Sequence, residues 1–258
     1  MSLVSLAAHR AAQIAGGELL LYTDDDMSFG PHWVEAYREA FAKHPEMVAA
    51  SGPVRPIWEQ EPPTWLLEYM GTPKMFTILS LMEPHETFQL GKDGWFFSCN
   101  MALWKRDLVE LGGFHPENTA GKWVGDGETG LNHRMFARGD LIGYVPTAVT
   151  YHHIPPARMT VEYFCRRMAN EGAAELYTEY NKHLPSRWRM LRSSVWFARC
   201  YREARAAARR VQGNTDREAL NLQMRAARFR SKINYAFRLV WDGKFRQMVE
   251  QKSWLERE

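Results

Sequence analysis

Three consecutive carboxylates close a short apolar run in Leu19–Met27, which reads Leu-Leu-Leu-Tyr-Thr-Asp-Asp-Asp-Met. The run has the length of one buried strand. Open α/β sheets bind their ligands at the carboxyl ends of such strands. Adjacent carboxylates repel one another unless a positive charge sits among them. Asp24, Asp25 and Asp26 therefore predict one of two things. One is a site for a hard divalent cation, Mn2+ or Mg2+, carrying a phosphorylated substrate. The other is an acidic turn with no ligand.

The chain around this stretch is globular in composition. Its 258 residues allow one large domain or a domain with an appendage, and 45% hydrophobic content is ordinary for a folded core. No stretch reaches the ~18 consecutive apolar residues of a membrane span, and the opening residues lack the pattern of a signal peptide. Cys99, Cys165 and Cys200 are odd in number and far apart. That spacing points to a reducing compartment, not to a disulfide framework or a zinc knuckle. The net charge of +3 conceals an asymmetry: residues 186–258 carry 18 Lys+Arg against 7 Asp+Glu, and residues 1–185 carry 15 against 23. An acidic body with a basic tail suggests two tasks.

Hydrophobic periodicity predicts a helix over Ser5–Ala15, a strand over Leu19–Thr23, a turn at Ser28–Pro31, a helix from Trp33 to Pro45 and a strand over Val48–Ser51. This alternation argues for a largely parallel sheet with crossover helices. Residues 52–93 are rich in proline and predict short helices or a functional loop. Trp58 and Trp65 within them are expected to pack that loop down, not to line a site. A strand over Trp95–Asn100, a helix over Lys105–Leu111, a mobile glycine-rich stretch over Gly121–Gly127, a helix over Glu128–Arg138 with Gly139 at C′, and a strand over Leu141–His152 follow. After Thr160, an N-cap residue, the pattern is helical, with a break at Gln212–Asp216. The expected division is 1–158 and 159–258.

Three further constellations can carry chemistry. Gly125-Asp126-Gly127-Glu128 opens a helix, where Asp126 can take a proton as general base or either carboxylate can cap the helix. Tyr151-His152-His153 ends a strand, and neutral imidazole is a common metal ligand. Neighbouring strand residues face opposite ways, so only one of this pair meets a site. Asn100, with Arg106, can hydrogen-bond a sugar hydroxyl or cap the next segment.

In this order the motifs resemble the family 2 glycosyltransferases, which have the GT-A fold. Leu20–Met27 is similar to the family's Asp-x-Asp strand. The resemblance implies that Asp24 and Asp26 hold a metal ion and the nucleotide-sugar diphosphate, with Asp25 beside them on the substrate. Phe97–Ala102, then Leu111-Gly112-Gly113-Phe114, resembles the acceptor-side segment, which implies a substrate contact for Asn100. Gly125–Glu128 is similar to the Glu-Asp or Asp-x-Glu site, which implies Asp126 as catalytic base and Glu128 on the substrate. His152–Met159 resembles the H-x-[IV]-P-x-x-R element. It implies that His152 completes the metal site and that Arg158 contacts substrate. The resemblance spans about residues 5 to 172.

What it implies is a truncated GT-A (Rossmann-like) α/β fold, a mixed sheet flanked by helices, followed by a mostly helical C-terminal region. Family members open with a strand of the type SVIIPTYN and a nucleotide-binding unit. Ser5–Ala15 resembles the helix just before the Asp-x-Asp strand, so roughly the first third of the catalytic domain is expected to be missing here. The implied activity is metal-dependent, inverting transfer of a hexose from a nucleotide-sugar to the hydroxyl of a saccharide or lipid-linked acceptor. Synthesis of cell-surface polysaccharide or glycolipid is the implied setting, and Mn2+ or Mg2+ the cofactor. The alternative is an inactive, glycosyltransferase-like binding or scaffold module without the nucleotide half.

In the tail, Trp188, Leu191, Val195, Trp196 and Tyr201 alternate with arginines. Such helices lie on anionic membrane surfaces, or pack on the catalytic domain or a sister subunit of a homo-oligomer. A third reading makes the tail the functional part of a membrane-surface adaptor. No nucleic-acid motif is present, so that partner is not expected. The expected location is cytoplasmic, peripheral at the inner face of the membrane.

Overall fold

The computed structural model describes residues 3–72, 74–115, 118–119, 122–123, 125–211 and 215–251. In chain order its elements begin with α1 (Leu3–Ile14), β1 (Leu19–Tyr22), β2 (Met27–Phe29), α2 (Trp33–Lys43), β3 (Met47–Ser51), β4 (Val54–Trp58) and α3 (Thr64–Met70). Next come β5 (Met75–Phe76), β6 (Leu81–Met82), β7 (Gln89–Gly91), β8 (Met101–Trp104), α4 (Lys105–Glu110), β9 (Asn118–Thr119) and β10 (Lys122–Trp123). The rest are α5 (Gly127–Arg138), β11 (Leu141–Tyr144), β12 (Thr150–Ile154), α6 (Val161–His183), α7 (Arg187–Arg210), α8 (Arg217–Trp241) and α9 (Gly243–Val249). The fold is mixed α/β with a helical C-terminal region. Of the glycine-rich stretch expected to be mobile, Gly121 and Val124 lie outside the described residues; Lys122–Trp123 form β10 and Gly127 opens α5.

One sheet has the order β1-β8-β3-β11-β7, and a second has the order β2-β12-β4-β6-β5. The expected largely parallel sheet is corrected to a mixed one, since β3–β11 and β4–β12 are the parallel pairs among the described strands. β8 runs antiparallel to both β1 and β3. The strand expected over Trp95–Asn100 is also corrected. Those residues bend into a 3-10 turn at Ser98–Asn100, and the strand begins at Met101. The single strand expected over Leu141–His152 is two, β11 in one sheet and β12 in the other. β3 and β4 make the same step beside them, and Gly52 permits it: a Cβ there would lie 2.2 Å from the Ala148 carbonyl oxygen.

The helices follow their apolar spacing. Trp33, Tyr37, Ala40 and Phe41 form the buried stripe of α2. Thr160 caps α6 by accepting from the Tyr163 N–H at 3.1 Å. Phe164 of α6 and Leu220 and Met224 of α8 share one core with Leu66, Phe76 and Leu79. Each such side chain adds about 1.5–3 kcal/mol on burial. Trp65 packs on Phe164 at 5.4 Å, and Trp58 lies against the same core, as their loop-packing role requires. α6 and α8 cross closely at Gly172, where a Cβ would lie 2.5 Å from the Arg228 carbonyl oxygen. Glu175 on α6 pairs there with Arg228 and with Lys232 of α8.

Candidate active site

The acidic triplet lies between β1 and β2, and β12 fixes its register. Met27 pairs with His152, and the His153 N–H donates to the Asp26 carbonyl at 2.9 Å. Strand alternation then separates the two histidines. His153 turns to the Ser28 hydroxyl at 3.0 Å, and His152 is buried on the other face. His152 Nδ1 lies 2.9 Å from the Leu79 carbonyl oxygen, to which it donates. That bond leaves the Nε2 lone pair facing the triplet, the arrangement typical of metal-bound histidine. Burial holds the His152 pKa below its ordinary value, helped by Arg158 and opposed by Asp26.

Arg158 reaches into the same corner from a 3-10 turn at Pro156–Arg158, just after β12. Its Nη1 lies 2.5 Å from His152 Nε2, and its Nη2 lies 2.6 Å from Asp26 Oδ2. Asp26 Oδ2 is also 3.4 Å from His152 Nε2, while Asp26 Oδ1 is buried with no hydrogen-bond partner. Asp24 is open to solvent at the rim but crowded on its other sides, and Asp25 is exposed beside it. Crowding, then the charges of Glu128, Asp26 and Asp25, push the Asp24 carboxyl up to about 6 against the pull of Arg158. Exposure at the rim tempers the crowding; the three neighbouring carboxylates set the direction.

Glu128 stands in the first turn of α5 and accepts from the Ser98 hydroxyl at 2.7 Å. α6 contributes Glu171, whose carboxyl is raised by burial and also feels Glu175 and Glu128. Ser98 and Glu171 were not singled out in the sequence. Glu171 had a signal: it falls on the apolar stripe of Phe164 and Met168, where a carboxylate is out of place.

Two expected site residues sit elsewhere. Asn100 is fully buried and saturated. Its Oδ1 accepts from Trp33 Nε1 at 2.8 Å and Tyr37 OH at 2.7 Å, and its Nδ2 donates to the Pro53 and Ala148 carbonyls at 2.9 Å. No donor or acceptor is left for a sugar, so its substrate role is corrected to a tie among α2 and the two strand crossings. Arg106 stacks over Trp104, which pairs with Leu19 at the end of β1 away from the triplet. Asp126 is the second case. Its Oδ1 lies 2.7 Å from His115 Nδ1, and its Oδ2 accepts from the Thr178 hydroxyl at 2.7 Å. Burial alone would raise this carboxyl, but the bonds from His115 and Thr178 and the charge of Arg134 hold it below its ordinary value. His115 also forms an antiparallel bridge with Gly127, and Arg134 Nη1 lies 3.1 Å from both its ring nitrogens. Gly130 leaves room for the knot, since a Cβ there would lie 1.9 Å from Asp126 Oδ1.

The corner thus joins Asp26, His152 and Arg158 directly, with Asp24 and Glu128 in electrostatic reach. Carboxylate oxygens and one imidazole suit Mn2+ or Mg2+. The orphaned Asp26 Oδ1 and the oriented His152 Nε2 fit such an ion. In the present arrangement the guanidinium lies among these donors, and no three His, Cys, Asp or Glu side chains of the described residues are gathered to hold a metal.

No family model matches the sequence, and no curated protein matches it. Among solved structures, "Crystal structure of GalNAc-T7 with UDP, GalNAc and Mn2+" is similar, with 12% identity and a TM-score of 0.43 over 71% of this chain. The chain spans 38% of that structure's length.

Proposed function

We propose that this chain belongs to a metal-dependent glycosyltransferase of GT-A type that moves a sugar from a nucleotide-sugar to an acceptor hydroxyl with inversion. What supports the reading is the meeting of Asp24, Asp26, Glu128, His152 and Arg158, from three separate segments, at one corner. In it, Asp24, Asp26 and His152 Nε2 would hold the cation, once Arg158 turns from them to the diphosphate, which its planar fork suits. A bound Mn2+ or Mg2+ supplies charge neutralisation on the leaving diphosphate. Asp25 lies beside the donor at the rim.

The base in this reading is Glu128, not Asp126. Both Asp126 oxygens are engaged and its carboxyl is depressed, whereas Glu128 faces the acidic corner. Glu128 takes the acceptor's proton as its oxygen bonds to the anomeric carbon and the bond to the diphosphate breaks on the opposite face. Replacing Glu128 by Gln is expected to lower transfer by about 10²–10⁴-fold while calorimetric binding of UDP with Mn2+ stays intact. Full turnover by Glu128→Gln removes Glu128 as base.

A second reading, a catalytically inactive glycosyltransferase-like binding module, is favoured by one observation: Arg158 already neutralises the donors without a metal. Calorimetry separates the two, since the inactive module takes up neither Mn2+ nor UDP with Mn2+.

A further inference from the structure

α7 carries eight arginines and one glutamate, and α8 carries six basic residues and one glutamate. α7 buries Met190, Phe197, Cys200 and Ala204 against its neighbours. Helical spacing puts Trp188, Arg192, Val195 and Arg199 on the opposite side. Trp188 is 77% exposed, Val195 69% and Trp196 57%, the last although it meets Phe229 edge-on at 5.7 Å. That contact sets the level of the two helices, which run antiparallel. Trp188 precedes Trp196, and Phe237 follows Phe229, by eight residues each, so both lie ~12 Å along from the contact in the same direction. Phe237 and Trp241 form another bare pair, 60% and 66% exposed with ring centroids 6.0 Å apart. Leu184, 62% exposed, lies near the same end.

A water-facing surface rarely leaves so many large apolar groups bare beside one another. A lipid interface accommodates this mixture. Indole rings sit at head-group level, guanidinium groups pair with phosphate, and aliphatic side chains enter the acyl boundary. Ser186, Trp188, Arg189, Arg192, Ser193 and Trp196 line a shallow crevice on this side. The one glutamate of α7, Glu203, is tied to Arg199 at 2.9 Å and offers little repulsion. No helix among the described residues is long and apolar enough to cross a membrane.

We propose that the outer face of α7, with the Phe237–Trp241 edge of α8, lies flat on an anionic lipid bilayer. Charge complementarity selects the lipid. Val195 and Leu184 favour it over a nucleic acid, since they gain from acyl chains and nothing from a phosphate backbone. The inference does not depend on the transfer reaction proposed above.

Flotation of the full chain with phosphatidylcholine vesicles, with and without phosphatidylserine, tests it. The chain is expected to float only with phosphatidylserine present and to be released by salt. Each arginine near an anionic surface is worth about 1 kcal/mol, or about fivefold in partitioning. Arg192→Glu with Arg199→Glu is therefore expected to lower partitioning more than tenfold, and Arg192→Lys to keep it. Trp188→Ala with Phe237→Ala is expected to lower it several-fold, with circular dichroism confirming that all variants fold. Equal flotation with neutral vesicles overturns the proposal, as does no flotation or no effect of either double variant. It is overturned too if light scattering finds a dimer that Trp188→Ala dissolves, or if the chain retains RNA and not vesicles.

Discussion

Asn100 and Asp126 are polar residues at positions where a side chain can serve either a substrate or the fold, and in this structure the polar atoms of both are bonded within the fold. Asn100→Ala would strand Trp33 Nε1 and the Ala148 carbonyl in a buried interior, while Tyr37 OH keeps the backbone carbonyl at position 100 and the Pro53 carbonyl keeps Thr150. A loss of about 3 kcal/mol is expected in urea denaturation, with little change in UDP binding. Asp126→Asn keeps the shape but loses the charged acceptor, at a cost of about 2 kcal/mol near neutral pH. Because the folded carboxyl titrates below its ordinary 3.8, its contribution is complete above that value and is lost as the pH falls through the folded pKa. Melting curves of wild type and Asp126→Asn are therefore expected to converge in acid; a constant gap at every pH would remove the charge from the account. That Asp26, His152 and Arg158 come together was legible because their motifs are local. The fate of Asn100 was not, because Trp33 and Tyr37 reach it from a distant helix.

Among the elements, helices were read well and strands less so. The stripe of α2, the Thr160 cap and Gly139 in a left-handed conformation at φ 81° each write a helix boundary into a few neighbouring residues. Several strands are only two to four residues long, too short for alternation to declare itself. Their partners depend on where the chain crosses between sheets, which Gly52 and Ala148 decide together. The same closeness governs α6 and α8. Gly172→Ala must push the Arg228 backbone away, and a loss of about 1–3 kcal/mol is expected. Equilibrium denaturation checks it, and an unchanged midpoint would mean the two helices can part freely.

At the scale of the whole molecule, the helical region is not a free appendage. Phe164, Leu220 and Met224 complete the core that holds Leu66, Phe76 and Leu79. A chain cut after Arg158 leaves that apolar surface bare, and it is expected to be insoluble or unfolded by circular dichroism; a folded, monomeric product would show that the core closes without α6 and α8. The charge contrast between body and tail was visible in the sequence. The shared core was not, because helical spacing says which side of a helix is apolar and not what covers it.

The bond between His115 and Asp126, with the bridge from His115 to Gly127, pins both ends of residues 116–125. The anchors hold α5, and with it Glu128, whatever length of chain runs between them. Doubling that length would add only ~0.6 kcal/mol of closure entropy. The closure is thus carried by its two ends, so a longer connection between them would cost little while α5 and its carboxylate keep their places.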